Sequence, residues 1–555
     1  MRPEYAQVIA WSRRIGPISV RTPLALLLLS LCAIVAIWWW LAVPIKLAHA
    51  PIESGAKLEC VSYAPFRGSQ SPLVKGTMIP PEQIAQDFAQ LAKISKCVRT
   101  YSVENGLDKA PELARKAGLK LILGIWLGSN RVDNLVEIAT AVGLTKDFAD
   151  VITGVVVGNE VLLRGEMTAA DLAANIRSVK AQVKVPVTYA DVWEYWLRNR
   201  DIYDAVDFVT IHILPYWEDI PIRARYAAAH VDSIRKRVAI AFPGKEILIG
   251  ETGWPSAGRM REGALPSRAN QARVVSEILD LAKRENFRVN LIEAYDQPWK
   301  RQLEGTVGGY WGLIDADARA LKYPAGEPIN NFPFWKQEMG AGLALSILIF
   351  AVAMWTARRR PWAPRFVSWL GVFASATAAG ALLGVAVDKM LYESLGIAGW
   401  LRWGILLAAG ILAPLLSASA LMSGRSLPTF LEFLGPRVGR TSSPRVVLLG
   451  LTLLVTTLIA CETALGFVFD PRYRDFPFAA LTMAVVPFWM LMTFNRPRSG
   501  VRPVAESAFA GLLAGAAIYI GFNEGPANWQ SLWTCLIYLM LGVTLWRARA
   551  EQIPG

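Results

Sequence analysis

Between residues 55 and 330, short apolar runs alternate with longer amphipathic stretches. The runs are "CVSYAPF", "CVRTYS", "LKLILGIWLG", "VITGVVVGNE", "VPVTYADVW", "VDFVTIHILPYW", "EILIGETGWP" and "VNLIEAYDQPW". Intervening pieces such as "PEQIAQDFAQLAKIS" and "RANQARVVSEILDLAKREN" space their apolar residues as a helix does. Strands that alternate with helices predict an α/β fold. With eight such runs, the expected form is a closed parallel (β/α)8 TIM barrel. An open doubly wound sheet is the alternative, but it calls for a Gly-rich turn after an early strand, and the sequence offers none there.

The pattern changes from about Gly340. Apolar runs recur at 341–356, 366–387, 403–422, 446–469, 476–494, 504–522 and 531–546, and an earlier run covers Leu24–Val43. Each is long enough, or nearly so, to cross a bilayer as a helix. Together they predict about eight spans, seven of them in a membrane domain over residues 340–547. The first run carries Trp38, Trp39 and Trp40 at its end, as a retained anchor does at a membrane interface. A cleaved signal peptide is the alternative, with "AHA" at 48–50 as a weak cleavage site.

Charge orients this layout. Arg2, Arg13, Arg14 and Arg21 precede the first span. Arg358, Arg359 and Arg360 follow the second, and Arg425, Arg437, Arg440 and Arg445 follow the fourth. Arg496, Arg498 and Arg502 follow the sixth, and Arg547 and Arg549 the last. Alternate threading puts all of these on one side. By the positive-inside rule that side is the cytoplasm. The expected order is then a cytoplasmic N-terminus (1–23), a transmembrane helix (24–43), an external barrel (55–330), the membrane domain and a cytoplasmic tail (548–555). In a bacterium this places the chain in the inner membrane with its barrel in the periplasm. Arg472 and Arg474 dissent, falling outside in the company of Asp470 and Asp475. Glu462 lies inside an apolar run, where a carboxylate is costly and often functional, though near a span's end it reaches water.

Composition agrees with lipid exposure. The chain of 555 residues is 53% hydrophobic and only 19% charged, with a net charge of +13. The arginines beside apolar runs account for much of that excess. No nucleic-acid motif appears, and nucleic acid is not an expected partner. Of the five cysteines, Cys32, Cys461 and Cys535 fall in predicted spans. Cys60 and Cys97 begin the first and second strands, which are neighbours in a parallel barrel. In an oxidising compartment a disulfide between them is expected, and two buried thiols are the alternative.

In a parallel barrel, chemistry gathers where strands end. "VVVGNE" raises Asn159 and Glu160 at the end of the fourth strand, and "EILIGETGWP" raises Glu251 at the end of the seventh. Two carboxylates in one barrel mouth are the equipment of glycoside chemistry. One protonates the leaving oxygen, and the other attacks the anomeric carbon if the pair is only about 5 Å apart. An amide such as Asn159 can bind the sugar 2-hydroxyl. Aromatic faces suit sugar rings, and Tyr63, Tyr101, Trp126, Trp193, Tyr216, Trp254, Tyr295, Trp299 and Trp311 lie at or just after strand ends. Each of these has barrel core as its alternative. Arg99, Asp191, His212, Glu293 and Asp296 are the polar candidates. Arg99 is placed to hold a carboxylate ionised. No metal-ligand spacing and no phosphate-binding loop is found, so neither metal nor cofactor is expected. "DAD" at 315–317 imitates the metal-binding signature of nucleotide-sugar transferases, but it follows the last strand, outside the membrane, where nucleotide sugars are scarce.

At these residues the sequence resembles glycoside hydrolase family 17. The likeness is carried by "VSYAPFR", "CVRTYS", "GNE", "GETGWPS" and "EAYDQPWK" followed by "EGTVGGYWGLID", over roughly residues 58–320. It implies a (β/α)8 barrel, retention of anomeric configuration, Glu160 as general acid/base and Glu251 as nucleophile. It also implies Asn159 as a 2-hydroxyl contact. The whole layout, one span, a barrel and a multi-span tail, is similar to the bacterial membrane-bound β-1,3-glucanosyltransferases, including the rhizobial β-(1,6)-glucan synthase type of cyclic β-(1,3),(1,6)-glucan formation.

The expected function is therefore transfer. The barrel cleaves a β-1,3-glucan donor and passes the glucosyl group to a second glucan, elongating or branching it. Expected partners are the glucan donor and acceptor, the lipid bilayer and a membrane glucan synthase. Hydrolysis by an endo-β-1,3-glucanase shares the first step and differs only in the acceptor. A non-catalytic barrel that guides glucan toward a pore is a third reading, disfavoured because both carboxylates are present.

Overall fold

The computed structural model describes residues 21–47, 52, 55–323, 327–434, 443–496 and 499–550. Arg2, Arg13, Arg14, the "AHA" segment, Arg437, Arg440, Arg498 and the last residues of the tail lie outside the described residues. The chain divides into two compact units. One is Pro44–Asn331; the other combines Met1–Val43 with Phe332–Gly555.

Helix α1 (Arg21–Leu41) belongs to the second unit. The first unit is the closed barrel that the alternation of runs predicts. Its strands are β1 (Cys60–Ser62), β2 (Cys97–Arg99), β3 (Lys120–Ile125), β4 (Ile152–Asn159), β5 (Val187–Val192), β6 (Val209–His212), β7 (Ile247–Thr252) and β8 (Val289–Leu291). Each pairs in parallel with the next, and β8 closes on β1. Helices follow the strands in turn: α2 (Pro81–Leu91), α3 (Ala110–Ala117), α4 (Arg131–Asp147), α5 (Ala169–Lys180), α6 (Trp193–Arg198), α7 (Ala227–Ala241), α8 (Arg268–Glu285) and α9 (Arg301–Gly308). Local signals start them. Pro81 opens α2, and the side chains of Asn130, Thr168 and Ser267 accept from the first turns of α4, α5 and α8.

Side-chain alternation along the strands sorts the core into two parts. Leu121, Leu123, Val155, Val157 and Ile249 join the apolar faces of the helices. Cys60, Cys97, Ile122, Val156, Ala190, Phe208 and Leu248 form a separate buried cluster on the opposite strand face. Cys60 and Cys97 are joined there by a disulfide, 37 residues apart in sequence. Polar side chains are interleaved with this cluster. Asn290 Nδ2 donates to Ser62 Oγ and to the Gly250 carbonyl, each at 2.7 Å, and the hydroxyls of Thr188 and Thr210 meet at 2.9 Å. Apolar packing interleaved with these hydrogen bonds gives the strand ends a fixed platform.

The second unit is helical. After α1 come α10 (Trp335–Arg358), α11 (Phe366–Glu393), α12 (Gly396–Met422), the short α13 (Phe430–Leu434), α14 (Pro444–Phe469), α15 (Phe478–Phe494), α16 (Val504–Glu524) and α17 (Trp529–Trp546). Every apolar run read from the sequence lies mainly within one of them. Seven are long and apolar enough to cross a membrane, and α15 is shorter at 17 residues because Pro477 caps its start. Small residues bring helices close. A Cβ on Gly342 of α10 would meet the Gly380 carbonyl oxygen of α11 at 2.0 Å, so these backbones touch only because both residues lack side chains. Glu462 of α14 is half exposed, and Arg402 and Arg474 pair with it at 3.3 and 3.6 Å.

Candidate active site

The fourth strand does not end straight. Its pairing with β5 shifts register between Val156 and Asn159, and Gly158 and Glu160 adopt φ of +85° and +53°. A bulge followed by left-handed backbone re-aims the side chains that follow it. Asn159 thus stays buried, while the Glu160 side chain keeps 24% of its surface exposed. Glu251, within β7, is buried. Gly250 before it carries no side chain because a Cβ would strike Thr210 Cγ2 at 2.4 Å and crowd the His212 ring.

His212 at the end of β6 stands between the two carboxylates. Its Nδ1 lies 2.7 Å from Glu160 Oε1, and its Nε2 lies 3.7 Å from Glu251 Oε1. One donor atom each from Glu160, His212 and Glu251 lie within 4.8 Å of one another. Arg99, from the end of β2, ties the group together. Its Nη1 donates to Glu251 Oε1 at 3.1 Å and to the Gly250 carbonyl at 2.9 Å, and its Nη2 donates to Asn159 Oδ1. The Tyr101 hydroxyl donates to the same Glu251 oxygen at 2.8 Å.

These contacts set the charge of Glu251. Burial by itself would raise its pKa. His212, Arg99, Lys300 and the Tyr101 hydroxyl outweigh burial, and the carboxyl is held below its usual range. The trio could ligate a cation by distance alone, but the Arg99 guanidinium already occupies Glu251, and a second positive charge beside it would be repelled.

The other candidates fall into three groups. Asp191, on β5 beside Glu160, is buried. Its carboxylate accepts from Tyr189 Oη and from the Val192 amide at 2.7 Å, and burial raises its pKa to about 6. Glu293 is buried with Lys300 Nζ at 2.9 Å from both its oxygens, and burial raises it to about 7 despite that partner. Trp126, Trp193 and Trp299 keep exposed surface at the strand ends. The guanidinium of Arg164 lies 4.0 Å from the centre of the Trp126 ring, and Phe66 packs edge-on against Trp299 at 5.9 Å.

The third group is core. Tyr63, Tyr216, Trp254, Tyr295 and Trp311 are fully or almost fully buried, so none presents a face to a sugar. Tyr63 donates to Asp87 at 2.9 Å. Tyr216 packs edge-on against both Trp254 and Trp311, at 6.0 and 6.2 Å. Large aromatics just beyond strand ends fill the space under the loops, where they bury the most area. Asp296 is likewise closed off, paired with buried Lys322 at 2.7 Å.

Three residues of the network were not singled out in sequence. Lys300 follows Trp299 in the quoted "EAYDQPWK", and Glu304 stands four residues on, the helical spacing that lets the two interact. Tyr189 stands two before Asp191, on the same strand face. For Lys300 and Tyr189 the signal was position relative to an acid already chosen.

Residues 60–312 match the BtgE/BtgC glycoside hydrolase domain, so the barrel is of the glycoside hydrolase type. The probable beta-glucosidase btgE of Aspergillus flavus is 29% identical over 264 residues, covering 46% of this chain and 42% of that protein. The chain thus spans about two fifths of the length of the btgE relatives that it matches. The glucan 1,3-beta-glucosidase of Candida albicans is 28% identical over 260 residues, which is 43% of this chain and 84% of that one. Among solved structures, an active-site mutant of the Rhizomucor miehei beta-1,3-glucanosyltransferase in complex with laminaritriose is 25% identical. It covers 49% of this chain and 98% of that one, with a TM-score of 0.43.

Proposed function

We propose that this protein is a membrane-anchored, retaining β-1,3-glucan transglycosylase of the glycoside hydrolase family 17 kind. The observation that carries the reading is the approach of Glu160 and Glu251 oxygens to within 4.8 Å. Retaining enzymes hold their carboxyl groups about 5–5.5 Å apart, and inverting ones at about 6.5–9.5 Å to admit a water between them. Glu251 is the nucleophile, since Arg99 and Tyr101 stabilise its ionised form. Glu160, more exposed, is the acid/base.

In the first step a Glu251 oxygen bonds the anomeric carbon as the glycosidic bond breaks. The leaving oxygen takes the Glu160 proton. In the second step an acceptor hydroxyl attacks the same carbon, Glu160 takes back a proton, and the ester to Glu251 is released. Asn159, oriented by Arg99, is the residue placed for the 2-hydroxyl. Trp126, Trp193 and Trp299 are the platforms for flanking sugars. The arginine pattern favours a periplasmic barrel on the inner membrane, with residues 1–23 and 548–555 cytoplasmic. Assembly of periplasmic or cyclic β-glucan fits that setting, with a membrane glucan synthase as supplier of donor glucan.

The test uses the full chain in detergent micelles with a reduced-end-labelled β-1,3-glucan oligosaccharide. Products longer than the donor, or branched, are the expected result. Shorter products alone would assign hydrolysis, and an unchanged donor would leave a binding protein.

A further inference from the structure

The helical unit contains a cavity that neither its packing nor the glucan chemistry requires. It lies where α10 ends, α12 ends and α14 begins, with a volume of about 110 Å³. Arg360, Arg425 and Arg445 line it from three separate segments, together with Ser419, Ser423, Ser426 and Ser443. No acidic side chain is among its lining residues. Among the described residues, no carboxylate pairs with any of the three arginines. Their contacts are neutral: Arg425 Nη1 donates to Ser443 Oγ at 3.3 Å, and the Arg445 guanidinium lies 5.3 Å from the centre of the Trp355 ring.

Arginines beside membrane spans ordinarily set topology, and dispersed charges suffice for that. Three arginines and four serines lining one concavity do more. Arginines brought to one concavity repel one another unless an anion stands between them, and guanidinium forks match the oxygens of a phosphate. The nearby helix faces are apolar and exposed, including Trp355, Leu412, Leu448 and Leu451. A ligand with a phosphate head and hydrocarbon tails satisfies both surfaces. We propose that this cavity binds the phosphate headgroup of an anionic phospholipid, whose acyl chains lie along α12 and α14. Basic pockets between spanning helices hold acidic lipid headgroups on these terms.

The full chain, reconstituted in nanodiscs of mixed phosphatidylglycerol and phosphatidylcholine and released into detergent, is examined by native mass spectrometry. Preferential retention of phosphatidylglycerol is expected. The double variant Arg425→Gln/Arg445→Gln should lose that preference by at least roughly fivefold per arginine removed. Ser426→Phe fills the cavity from an exposed loop position without altering any charge, and it should lose retention while keeping the wild-type melting profile. Equal retention of both lipids would overturn the proposal, as would unchanged retention in Ser426→Phe. Displacement of bound lipid by millimolar inorganic phosphate would assign the site to a soluble anion and overturn the lipid assignment.

Discussion

The two units of this chain satisfy their buried polar groups in opposite ways. In the helical unit most do so within one turn. Thr356, Ser375, Thr452, Thr456, Thr457, Thr482, Thr534 and Thr544 each donate to the carbonyl four residues earlier, and Lys389 pairs with Glu393 four residues on. In the barrel the partners are distant in sequence. Arg99 reaches Asn159, Gly250 and Glu251, and Asn290 reaches Ser62. A helix in an apolar setting has no water to complete a hydroxyl, so the nearest carbonyl serves. Eight parallel strands bring remote residues to one ring of ends, where charges can be arranged rather than merely quenched. Capacity for chemistry belongs to the unit whose polar contacts are long-range; the other unit's interior is built for packing and, at one end, for an anion.

That contrast can be broken most forcefully at the carboxylates. Glu160→Gln should slow turnover by about 10²–10⁴-fold, the usual contribution of a general acid/base, and Glu251→Gln should slow it further. Azide separates their roles. With Glu160→Ala it should yield a glycosyl azide of retained configuration, and with Glu251→Ala one of inverted configuration, as read by NMR. The opposite pairing would exchange the assignments. Neither substitution should change the melting of the helical unit.

Stability offers the next pair of tests. Replacing Cys60 and Cys97 by alanine opens a loop of 37 residues and should cost about 2–4 kcal/mol, measured by denaturant unfolding of the barrel. Gly342→Ala forces a methyl against the Gly380 carbonyl and should cost about 1–3 kcal/mol in the helical unit. Glucan turnover at low temperature should survive it. Loss of turnover at constant barrel stability would show that the units are functionally coupled.

Smaller effects concern pH. Burial raises the Asp191 carboxyl to about 6, so it changes charge beside Glu160 within the range over which turnover is measured. Asp191→Asn should remove an inflection near pH 6 from the pH–rate profile, and an unchanged profile would leave Asp191 a structural residue. It also has a positioning role, since Tyr189, its hydrogen-bond donor, accepts from the Leu162 amide at 3.1 Å in the turn just after Glu160. Glu137 supplies the least. Burial raises it to about 7, against hydrogen bonds from Ser102 and the Val103 amide. The folded chain therefore holds a proton that the unfolded chain releases at lower pH. Its contribution is full below the unfolded value and fades as pH rises toward 7. Glu137→Gln should flatten the fall in melting temperature across that interval.

The local code of this sequence was enough for the barrel and for the placement of every long apolar helix. Short apolar runs report strands buried on both faces, and amphipathic stretches report helices buried on one, patterns that each segment carries by itself. It was also enough to bring Glu160 and Glu251 to one place, because residues at parallel strand ends must share one mouth. It was insufficient for the aromatics. Trp254 follows β7 about as closely as Trp126 follows β3, yet Trp254 is fully buried and Trp126 is exposed. Whether a ring after a strand meets sugar or core depends on which loop folds over it, and no local pattern carries that information. The Lys300–Glu293 pair, the His212 bridge and the three-arginine cavity are likewise products of assembly. Each requires side chains from different segments to arrive at one point, and distance in space is what tertiary structure alone decides.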